Sequence, residues 1–460
     1  MHIHFLGICG TFMGSLALLA RSLGHTVTGS DTAIYPPMST QLEQAGVEIW
    51  EGYNASHLDP APDLVVVGNV CKRGMQAVEY MLTERLPYTS GPQFLSEHIL
   101  QYRHVLAVAG THGKTTTTTM LSWVLQYAGI DTGFLIGGVP LVDTDDERLQ
   151  SAFAHSSHLG KDYFVIEADE YDSAFFDKRS KFVHYRPTTA ILNNLEYDHA
   201  DIFPDLKAIQ TQFHHMIRMI PATGQIIMPA DTKSLEETLD MGVWTPVQRT
   251  SIDGDADWQA TLIQEDGSVF HVKHGDEHAE VHWNMSGVHN VNNALVAIAA
   301  AHHVGVSVAT ACEALSNFGG IKRRMELIGE VDGIQVYDDF AHHPTAITTT
   351  LDGAKKKLVG RTIWAVIEPR SNTMKLGSHR EQLASSAALA DHVLWYEPAS
   401  LAWGLADTIG NTPNQSVLAS TDAIIEHLVQ HAKSGDAIVI MSNGGFESIH
   451  TRLVSALQNR

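Results

Sequence analysis

The segment from residue 104 to residue 127 constrains the fold of this chain most. The apolar run HVLAVA at 104–109 is typical of a buried strand, and it leads into the loop GTHGKT at 110–115 and a helical stretch. In such a loop, backbone N–H groups converge on phosphate oxygens, and the following helix N-terminus adds partial positive charge. Lys114 would reach the β- and γ-phosphates, and the Thr115 hydroxyl would be a ligand of Mg²⁺. The segment predicts a nucleotide-binding α/β domain.

The length of 460 residues indicates roughly three domains at about 150 residues each. We place them at 1–103, 104–327 and 328–460. Strand candidates alternate with helical stretches throughout, which predicts an α/β fold with parallel sheets and right-handed crossovers. The strand candidates are His2–Leu6, His25–Thr28, Leu64–Val67, His104–Ala109, Tyr163–Ile166, Thr189–Leu192, Ile334–Tyr337, Thr362–Ile367, His392–Tyr396 and Ala437–Met441.

Composition excludes several classes of protein. The chain has 30 basic and 52 acidic residues and a net charge of −22, which argues against binding along nucleic acid. Its three cysteines include no close pair, so neither a disulfide framework nor a thiolate zinc site is expected. The N-terminus does not have the pattern of a signal peptide, and apolar runs are too short for a spanning helix. We therefore expect a cytoplasmic protein without membrane insertion.

Two further motifs follow strand candidates in the middle of the chain. Glu167, Asp169 and Glu170 come directly after one strand, and Asp198-His199 follows another. Ligands bind at the carboxyl ends of parallel strands, and carboxylate oxygens suit Mg²⁺. A solvated acidic turn explains the first motif equally well, and one histidine among 27 carries little information by itself.

The N-terminal glycine loop leaves two ligands open. Gly7, Gly10 and Gly14 follow the first strand, and Asp31 follows the second, as in a dinucleotide-binding unit. The spacing is G-x-x-G-x-x-x-G, however, and not the G-x-G-x-x-G of that fingerprint. NAD and the pyrophosphate of a nucleotide sugar therefore both remain candidates, since either would use the same helix terminus.

Taken together, the ordered motifs resemble those of the Mur ligases, ATP-dependent amide-forming enzymes of peptidoglycan assembly. The resemblance covers nearly the whole chain through GICGTFMG (7–14), GTHGKTT (110–116), EADE (167–170), NNLEYDHAD (193–201), SGVHNVNNALVAIAAA (286–301), GIKRRME (320–326), DDFAHHPT (338–345) and SNGGF (442–446). It implies an N-terminal Rossmann-like domain, a central P-loop ATPase domain and a C-terminal Rossmann-like domain.

The resemblance also assigns roles to individual residues. It implies Lys114, Glu167 and His199 as catalytic residues, with Thr115, Glu167 and His199 holding Mg²⁺. The implied ATP-binding residues are Gly110, Thr111, His112, Gly113, Lys114, Thr115, Thr116, His289, Asn290, Asn293, Arg324, Asp338 and His342. Those implied for the UDP-sugar are Gly7, Gly10, Thr11, Phe12, Met13, Ser30, Asp31 and Asn69, and those for the peptide are Arg370, Ser371 and Asn372. Several relatives carry a carbamylated lysine fifteen residues after the metal histidine, where this chain has His214.

Within the family, the motifs are similar to two branches that accept UDP-N-acetylmuramate. One branch adds L-alanine and typically reads EADESD and DDYGHHPTE, whereas this chain has Tyr171, Phe340-Ala341 and Thr345-Ala346. The segments at 368–379 and 441–446 resemble the other branch, which recycles peptidoglycan by joining a released murein tripeptide. Addition of that tripeptide is thus the implied reaction, and alanine addition is the alternative. An NAD-dependent oxidoreductase and a non-catalytic nucleotide-sugar sensor are rivals from other classes.

Overall fold

The structure is a computed structural model that describes residues 1–36, 38–138, 140–200, 202–398, 401, 403–410 and 412–460. Its strands form three large sheets, one in each third of the chain, with helices on both faces. The predicted α/β fold of three domains is confirmed by this arrangement. Among the described residues, no helix is long and apolar enough to span a bilayer.

The first domain is a five-stranded sheet that is parallel throughout, with the order β3-β2-β1-β4-β5. The order reverses between β1 and β4, and ligands of open α/β sheets bind at such a point beyond the carboxyl ends of the strands. The glycine loop after β1 borders this crevice. The elements are β1 (His2–Leu6), α1 (Thr11–Ser22), β2 (Thr26–Asp31), α2 (Met38–Gln44), β3 (Glu48–Glu51), β4 (Leu64–Val67), α3 (Gln76–Thr83), β5 (Tyr88–Ser90) and α4 (Gly91–Leu95).

The central domain is built on a ten-stranded sheet with the order β17-β16-β15-β14-β13-β12-β6-β9-β7-β8. Its strands are β6 (His104–Ala109), β7 (Gly133–Leu135), β8 (Ser157–His158), β9 (Tyr163–Ala168), β12 (Thr189–Leu192), β13 (Gln225–Pro229), β14 (Val247–Ile252), β15 (Trp258–Leu262), β16 (Val269–His274) and β17 (Glu277–His282), with β10 (Asp172–Ala174) and β11 (Asp177–Ser180) forming a separate hairpin. Its helices are α5 (Lys114–Tyr127), α6 (Glu147–Ala152), α7 (Leu206–Ile217), α8 (Lys233–Leu239), α9 (Val288–His303) and α10 (Val308–Ser316).

The predicted parallel pairing holds for most strands but not at the edges of the central sheet. Strands β15, β16 and β17 pair antiparallel, as do β7 and β8. The physical reason is visible in β16, where Phe270 and Val272 are buried and alternate with half-buried or exposed neighbours. A strand with one apolar face suits an antiparallel sheet with one side toward water.

The third domain is a six-stranded sheet with the order β18-β19-β23-β20-β21-β22, in which only β18 runs antiparallel. The sheet begins at Glu326, two residues before the boundary that we placed at 328. The elements are β18 (Glu326–Val331), β19 (Ile334–Asp339), α11 (Pro344–Lys357), β20 (Ile363–Ile367), α12 (Asn372–Lys375), α13 (Arg380–Ser386), β21 (His392–Tyr396), α14 (Leu405–Ile409), β22 (Gln415–Leu418), α15 (Thr421–His431), β23 (Ala437–Met441) and α16 (Ile449–Gln458).

Helix α1 joins the first domain to the central one. Every residue from Met13 to Ala20 is buried, so the helix is covered on all sides and not along a single stripe. The Ser15 hydroxyl lies 2.7 Å from that of Ser156, and the Ser157 hydroxyl donates to the Ser15 carbonyl at 3.2 Å. One continuous apolar cluster runs from Ile3 in the first domain to Leu239 in the central domain. These two domains therefore share a core.

Candidate active site

The phosphate loop joins β6 to α5, with two glycines in backbone conformations that side chains rarely adopt. Gly110 has φ +148° and Gly113 has φ +77°. A Cβ at Gly113 would lie 2.5 Å from Nδ2 of Asn193 and 2.5 Å from Oδ1 of Asn293, so only glycine fits. The two asparagines are joined by a hydrogen bond of 2.8 Å that Asn193 donates. The loop is thus held in place by side chains from two neighbouring elements.

Lys114, Glu170 and His199 form a charged network beside this loop. Nζ of Lys114 donates to the Gly110 carbonyl at 2.7 Å and lies 3.1 Å from Oε2 of Glu170. Nε2 of His199 lies 2.9 Å from the other oxygen of the same carboxylate. Only 3% of the Glu170 side chain is exposed, so one buried carboxylate binds two cationic groups at once.

The pKa values of the network show that the carboxylate charge outweighs burial. Burial lowers the pKa of Lys114, but the negative charges of Glu170 and Asp169 raise it above its ordinary value. Burial also lowers the pKa of His199, yet the hydrogen bond and charge of Glu170 leave it raised. The pKa of Glu170 is held below its ordinary value against burial by Lys114 and by the His199 hydrogen bond. All three groups are therefore stabilised in their charged forms.

Glu167 lies at the end of β9 and differs from Glu170 in having no such partner. Its Oε1 accepts a hydrogen bond of 2.5 Å from the Gly137 N–H. Burial raises the pKa of Glu167, and the Gly137 and Thr115 hydrogen bonds and the Lys114 charge offset this only in part. Among the residues that the structure describes, no cationic side chain lies within ion-pair distance of Glu167. An oxygen pair of this kind, Glu167 beside the Thr115 hydroxyl, suits a hard divalent cation.

The structure does not bring His199 and Glu167 into direct contact. The predicted metal set of Thr115, Glu167 and His199 lines one cleft, but His199 is bonded to Glu170. Its ring also packs on Tyr171, with centroids 4.2 Å apart. His214, at the position of the carbamylated lysine of relatives, lies 3.1 Å from the Gly242 carbonyl and packs near Trp244.

The predicted ATP-binding residues of the central and third domains meet across the cleft. His289, Asn290, Asn293, Arg324 and His342 all line it. Burial lowers the pKa values of His289 and His342 to about 4, so both rings are neutral at neutral pH. The Arg324 guanidinium lies 5.0 Å from the centroid of the Phe340 ring.

Asp338 is the exception among these residues. It pairs at 3.2 Å with Arg323, which lies just before the third sheet, and is 3.1 Å from Nε2 of His450 on α16. The neighbouring Asp339 lines the cleft and accepts hydrogen bonds of 2.8 Å from the N–H groups of Met325 and Ala341. Successive residues of a strand point to opposite faces, which explains why Asp339 and not Asp338 faces the cleft.

The cleft has a volume of about 920 Å³ and is lined by residues of all three domains. Thr11 is the contribution of the first domain, and the rest of the lining comes from the other two. Of the residues predicted to bind peptide, Arg370 and Ser371 line the cleft, as does Lys375. The side chain of Asn372 lies outside the part of the chain that the structure describes.

In the first domain, most of the residues predicted to bind the UDP-sugar shape the loop that follows β1. Gly7 has φ +83° and donates its N–H to the Ser30 carbonyl at 2.8 Å. Oδ2 of Asp31 accepts from the Cys9 N–H at 2.9 Å, while Oδ1 accepts from the Ala33 N–H and the Tyr53 hydroxyl at 3.0 and 3.3 Å. The Asp31 carboxylate is therefore occupied by donors of its own domain.

The remaining residues that we predicted to bind the UDP-sugar differ in their exposure to solvent. Met13 is buried, and the Ser30 hydroxyl lies 2.9 Å from Nε2 of His4 and 2.9 Å from Nδ1 of His57. Gly10, Thr11 and Asn69 are exposed, and Phe12 is half-buried with Lys181 5.6 Å from its ring centroid. The exposed residues are therefore accessible from solvent, whereas the buried ones lie within the domain.

Residue-by-residue reasoning assigned no role to four residues that the structure places in the site. Three of them, Asn193, Glu196 and Asp339, line the cleft, and the fourth, Glu170, lies behind it and pairs with Lys114 and His199. Glu170 and Asn193 stand within motifs that follow buried strands, so their position was a usable signal. Glu196 accepts a hydrogen bond of 2.8 Å from Thr345 of the third domain, a contact 149 residues away in sequence that no local pattern reveals.

Family models match most of the chain. Residues 2–103 match the Mur ligase family, catalytic domain; residues 108–301 match the Mur ligase middle domain; and residues 323–444 match the Mur ligase, glutamate ligase domain. The three matched regions follow one another in the order of the three sheets.

Individual relatives cover the chain from end to end. The chain is 53% identical over 462 residues to the UDP-N-acetylmuramate–L-alanyl-γ-D-glutamyl-meso-2,6-diaminoheptandioate ligase of Haemophilus influenzae, with 99% of each chain covered. It is 70% identical to a crystal structure of a murein peptide ligase from Psychrobacter arcticus, with a TM-score of 0.79 and coverage of 100% of this chain and 99% of that one. Identity to the UDP-N-acetylmuramate–L-alanine ligase of Desulfitobacterium hafniense is 33%, again with 99% of each chain covered.

Proposed function

The chain belongs to the Mur ligase family, and on that premise we propose that it joins L-alanyl-γ-D-glutamyl-meso-diaminopimelate to UDP-N-acetylmuramate with hydrolysis of ATP. It is an ATP-dependent ligase that forms an amide bond. We place the reaction in the cytoplasm, as a step of peptidoglycan recycling. The observation that carries the proposal is the cleft itself, where the phosphate loop and the Lys114–Glu170–His199 network face His342 and Arg370 of the third domain and Arg324 at the boundary between the two domains.

The reaction needs no nucleophile from the protein. The lactyl carboxylate of the sugar attacks the γ-phosphate of ATP, and ADP leaves as an acyl phosphate forms. The amine of the tripeptide then attacks the acyl carbon, and phosphate leaves as the C–N bond closes. Both reactants of the first step are anions, so catalysis must come from alignment and charge neutralisation.

Lys114 is the cation best placed to neutralise the phosphate charge. Its Nζ is held by the Gly110 carbonyl and Glu170, so its position is fixed before a ligand binds. A group that is already oriented costs little reorganisation as charge develops in the transition state. Glu170 therefore acts as a positioning residue for Lys114 and for His199.

The residues of the cleft fit a magnesium ion. We assign Thr115 and Glu167 to it, because Glu167 is a carboxylate without a cationic partner among the described residues. His199 would complete the set after rotating from Glu170, with which it is paired in this structure. Mg²⁺ at this point would neutralise phosphate charge and act as a Lewis acid.

The acceptor end of the cleft supports a tripeptide better than alanine. A tripeptide with diaminopimelate carries several carboxylates, and Arg370 and Lys375 line the cleft as cationic partners. Half of the Arg370 side chain is exposed, and its only ion pair among the described residues is a long one of 3.7 Å to Glu368. The guanidinium is thus available for a bidentate contact with a carboxylate.

The first domain supports binding of a nucleotide sugar and not of NAD. In the dinucleotide fold, an acidic residue after the second strand accepts hydrogen bonds from the ribose hydroxyl. Asp31 stands at that position, but its oxygens already accept from Cys9, Ala33 and Tyr53. The glycine spacing after β1 also departs from the dinucleotide fingerprint.

Competition between acceptors tests the proposal. Enzyme, ATP, Mg²⁺ and UDP-N-acetylmuramate are incubated with equal concentrations of tripeptide and L-alanine, and the two products are separated by mass. We expect the tripeptide product to dominate, with no product when Lys114→Ala replaces the wild-type chain. A predominance of the alanine product would assign the chain to alanine addition, and the absence of both products would contradict the ligase assignment.

A further inference from the structure

We propose that His112, Glu196 and His343 form a second metal site, for a borderline transition-metal ion such as Zn²⁺, distinct from the magnesium ligands. One ligand atom from each residue can be chosen so that all three lie within 4.8 Å of one another. Nε2 of His112 is 3.4 Å and Nδ1 of His343 is 3.8 Å from Oε2 of Glu196. Tetrahedral zinc with bonds near 2.1 Å separates its ligand atoms by about 3.4 Å. The Glu196 oxygen therefore lies near tetrahedral spacing from both imidazoles.

The donor set selects the class of metal. Two imidazoles and one carboxylate are ligands that zinc uses when a fourth position stays open to water or substrate. Mg²⁺ prefers oxygen ligands and octahedral geometry, so it does not compete well at this set. The second site and the Thr115–Glu167 pair would thus take different ions even in a mixture of both.

Unsatisfied nitrogen atoms are the second observation that points to a ligand. Nε2 of His343 and Nε2 of His379 are buried without a hydrogen-bond partner among the residues that the structure describes. The His343 ring is 6% exposed, and its centroid lies 4.5 Å from that of His112 and 4.6 Å from that of His379. Buried polar atoms are nearly always paired in folded proteins, so two unpaired imidazole nitrogens in one cluster require an explanation.

The charges around the cluster favour a cation. The Glu196 carboxylate lies 3.8 Å from Nδ1 of His343, and the Asp198 carboxylate is close enough to act electrostatically on the same ring. Asp198 accepts hydrogen bonds from its own neighbour His199 and from Thr373, so it stays in place behind the cluster. Two carboxylates therefore face the cluster, and a bound dication would compensate their negative charge.

Neighbouring contacts fix two of the ligands on the central domain. The His112 N–H donates to Oδ1 of Asn194 at 2.8 Å, and the His112 carbonyl accepts from the side chain of the same residue at 3.0 Å. The Glu196 N–H donates to the Thr111 hydroxyl at 2.8 Å. His343 belongs to the third domain, where its Nδ1 caps the start of α11 by accepting from the Thr345 N–H at 3.3 Å, a hydrogen bond that an ion bound at Nδ1 would replace. A bound ion would therefore tie the phosphate loop to the third domain.

Cobalt binding to the full-length, metal-free enzyme tests the site, with excess Mg²⁺ present to occupy the oxygen ligands. Tetrahedral Co²⁺ gives intense visible absorption that octahedral Co²⁺ lacks. We expect one equivalent of Co²⁺ to produce this spectrum, Zn²⁺ to displace it, and Mg²⁺ not to. Zn²⁺ should also raise the temperature at which the wild-type chain unfolds, because it binds the folded state alone.

His343→Asn is the decisive variant, since asparagine is a good helix N-cap and the metal-free chain should therefore fold as before. Affinity for Co²⁺ should fall at least ~10-fold, and Glu196→Gln should have the same effect. His431→Ala is the matched control. His427 and His431 lie one turn apart on α15 with ring centroids 4.3 Å apart, so they are a neighbouring histidine pair outside the proposed site. Loss of the spectrum in His431→Ala, equal affinity of His343→Asn and wild type, or an octahedral spectrum in the wild type would each overturn the proposal.

Discussion

The first and central domains place similar side chains at the carboxyl ends of their strands, but the two sets are used differently. In the central domain, the Glu170 carboxylate is bonded to two cationic groups, Lys114 and His199. In the first domain, the Asp31 carboxylate accepts only from neutral donors, two backbone N–H groups and the Tyr53 hydroxyl. A network of charged groups can respond to charge that develops during a reaction, whereas hydrogen bonds from neutral donors hold a loop in one conformation. The comparison assigns chemistry to the central domain and recognition to the first.

The largest expected effect is that of Lys114→Ala. Turnover should fall by at least ~10²-fold, because the variant loses a preoriented cation at the phosphates. The measurement is steady-state phosphate release, with circular dichroism to confirm the fold. Lys178→Ala is the control, since that lysine is 69% exposed and pairs with Asp172 on the surface hairpin. Wild-type turnover by a folded Lys114→Ala chain would remove the phosphate loop from the mechanism.

Glu170→Gln should have the next largest effect. Without the negative charge, the pKa values of Lys114 and His199 should both fall, and turnover should drop roughly 10- to 100-fold, as for residues that orient catalytic groups. Leaving Lys114 without its buried partner should also cost roughly 3 kcal/mol of unfolding free energy.

Denaturant unfolding and single-turnover kinetics measure the two effects of Glu170→Gln. The matched control is Glu79→Gln, which breaks an exposed ion pair with Arg73 and should leave both quantities unchanged. A Glu170→Gln chain with normal turnover would show that the network is structural only.

Tyr53→Phe should act on binding alone. The variant loses the 3.3 Å hydrogen bond to Asp31, which in turn holds the Cys9 N–H of the glycine loop. A loss of about 1 kcal/mol corresponds to a roughly fivefold rise in KM for UDP-N-acetylmuramate, with kcat unchanged. Tyr102→Phe, at a 91% exposed side chain, should change neither constant. A fall in kcat for Tyr53→Phe would contradict the division between recognition and chemistry.

His4 is expected to have the smallest effect on stability near neutral pH. Burial, with the nearby His2 and His57, lowers the pKa of His4 to about 3. In the unfolded chain the pKa returns to 6.5, so that chain binds a proton at a higher pH than the folded chain does. The neutral ring therefore costs no unfolding free energy above about pH 6.5, and the unfolding free energy decreases as pH falls from there toward 3. NMR should show a His4 ring signal, identified by its loss in His4→Asn, that does not shift between about pH 7.5 and 5. A titration midpoint near pH 6.5 would show that the His4 ring is exposed to water in the folded chain.

Local patterns predicted the architecture well because the strands that carry the sheets are short, apolar and bounded by glycine. The strands at 2–6, 64–67, 104–109 and 189–192 have the predicted bounds. The antiparallel edge β15–β17 escaped prediction, because alternating strands such as β16 contrast with the continuous apolar runs on which the prediction relied.

The site was predictable only where its residues stand inside local motifs. The strand–loop–helix around Lys114 indicates a phosphate site by itself, and five consecutive threonines there are explained by packing, since Thr116 to Thr119 are buried. The direction of the side chains at and after the end of β9 decides which acid pairs with His199. Spacing in the sequence alone does not distinguish Glu167 from Glu170. Contacts such as Thr345 to Glu196 depend on the placement of whole domains.

The burial of α1 on all sides has a consequence for synthesis of the chain. The helix is complete once Ser22 has left the ribosome, but β7 and β8, which it contacts, require the chain to reach residue 158. Throughout that interval, one apolar face of a finished helix is open to solvent. Truncated chains that end soon after residue 103 would keep this face permanently exposed, and an exposed apolar surface promotes aggregation. Nascent chains of intermediate length are therefore the stage at which a chaperone would bind this protein.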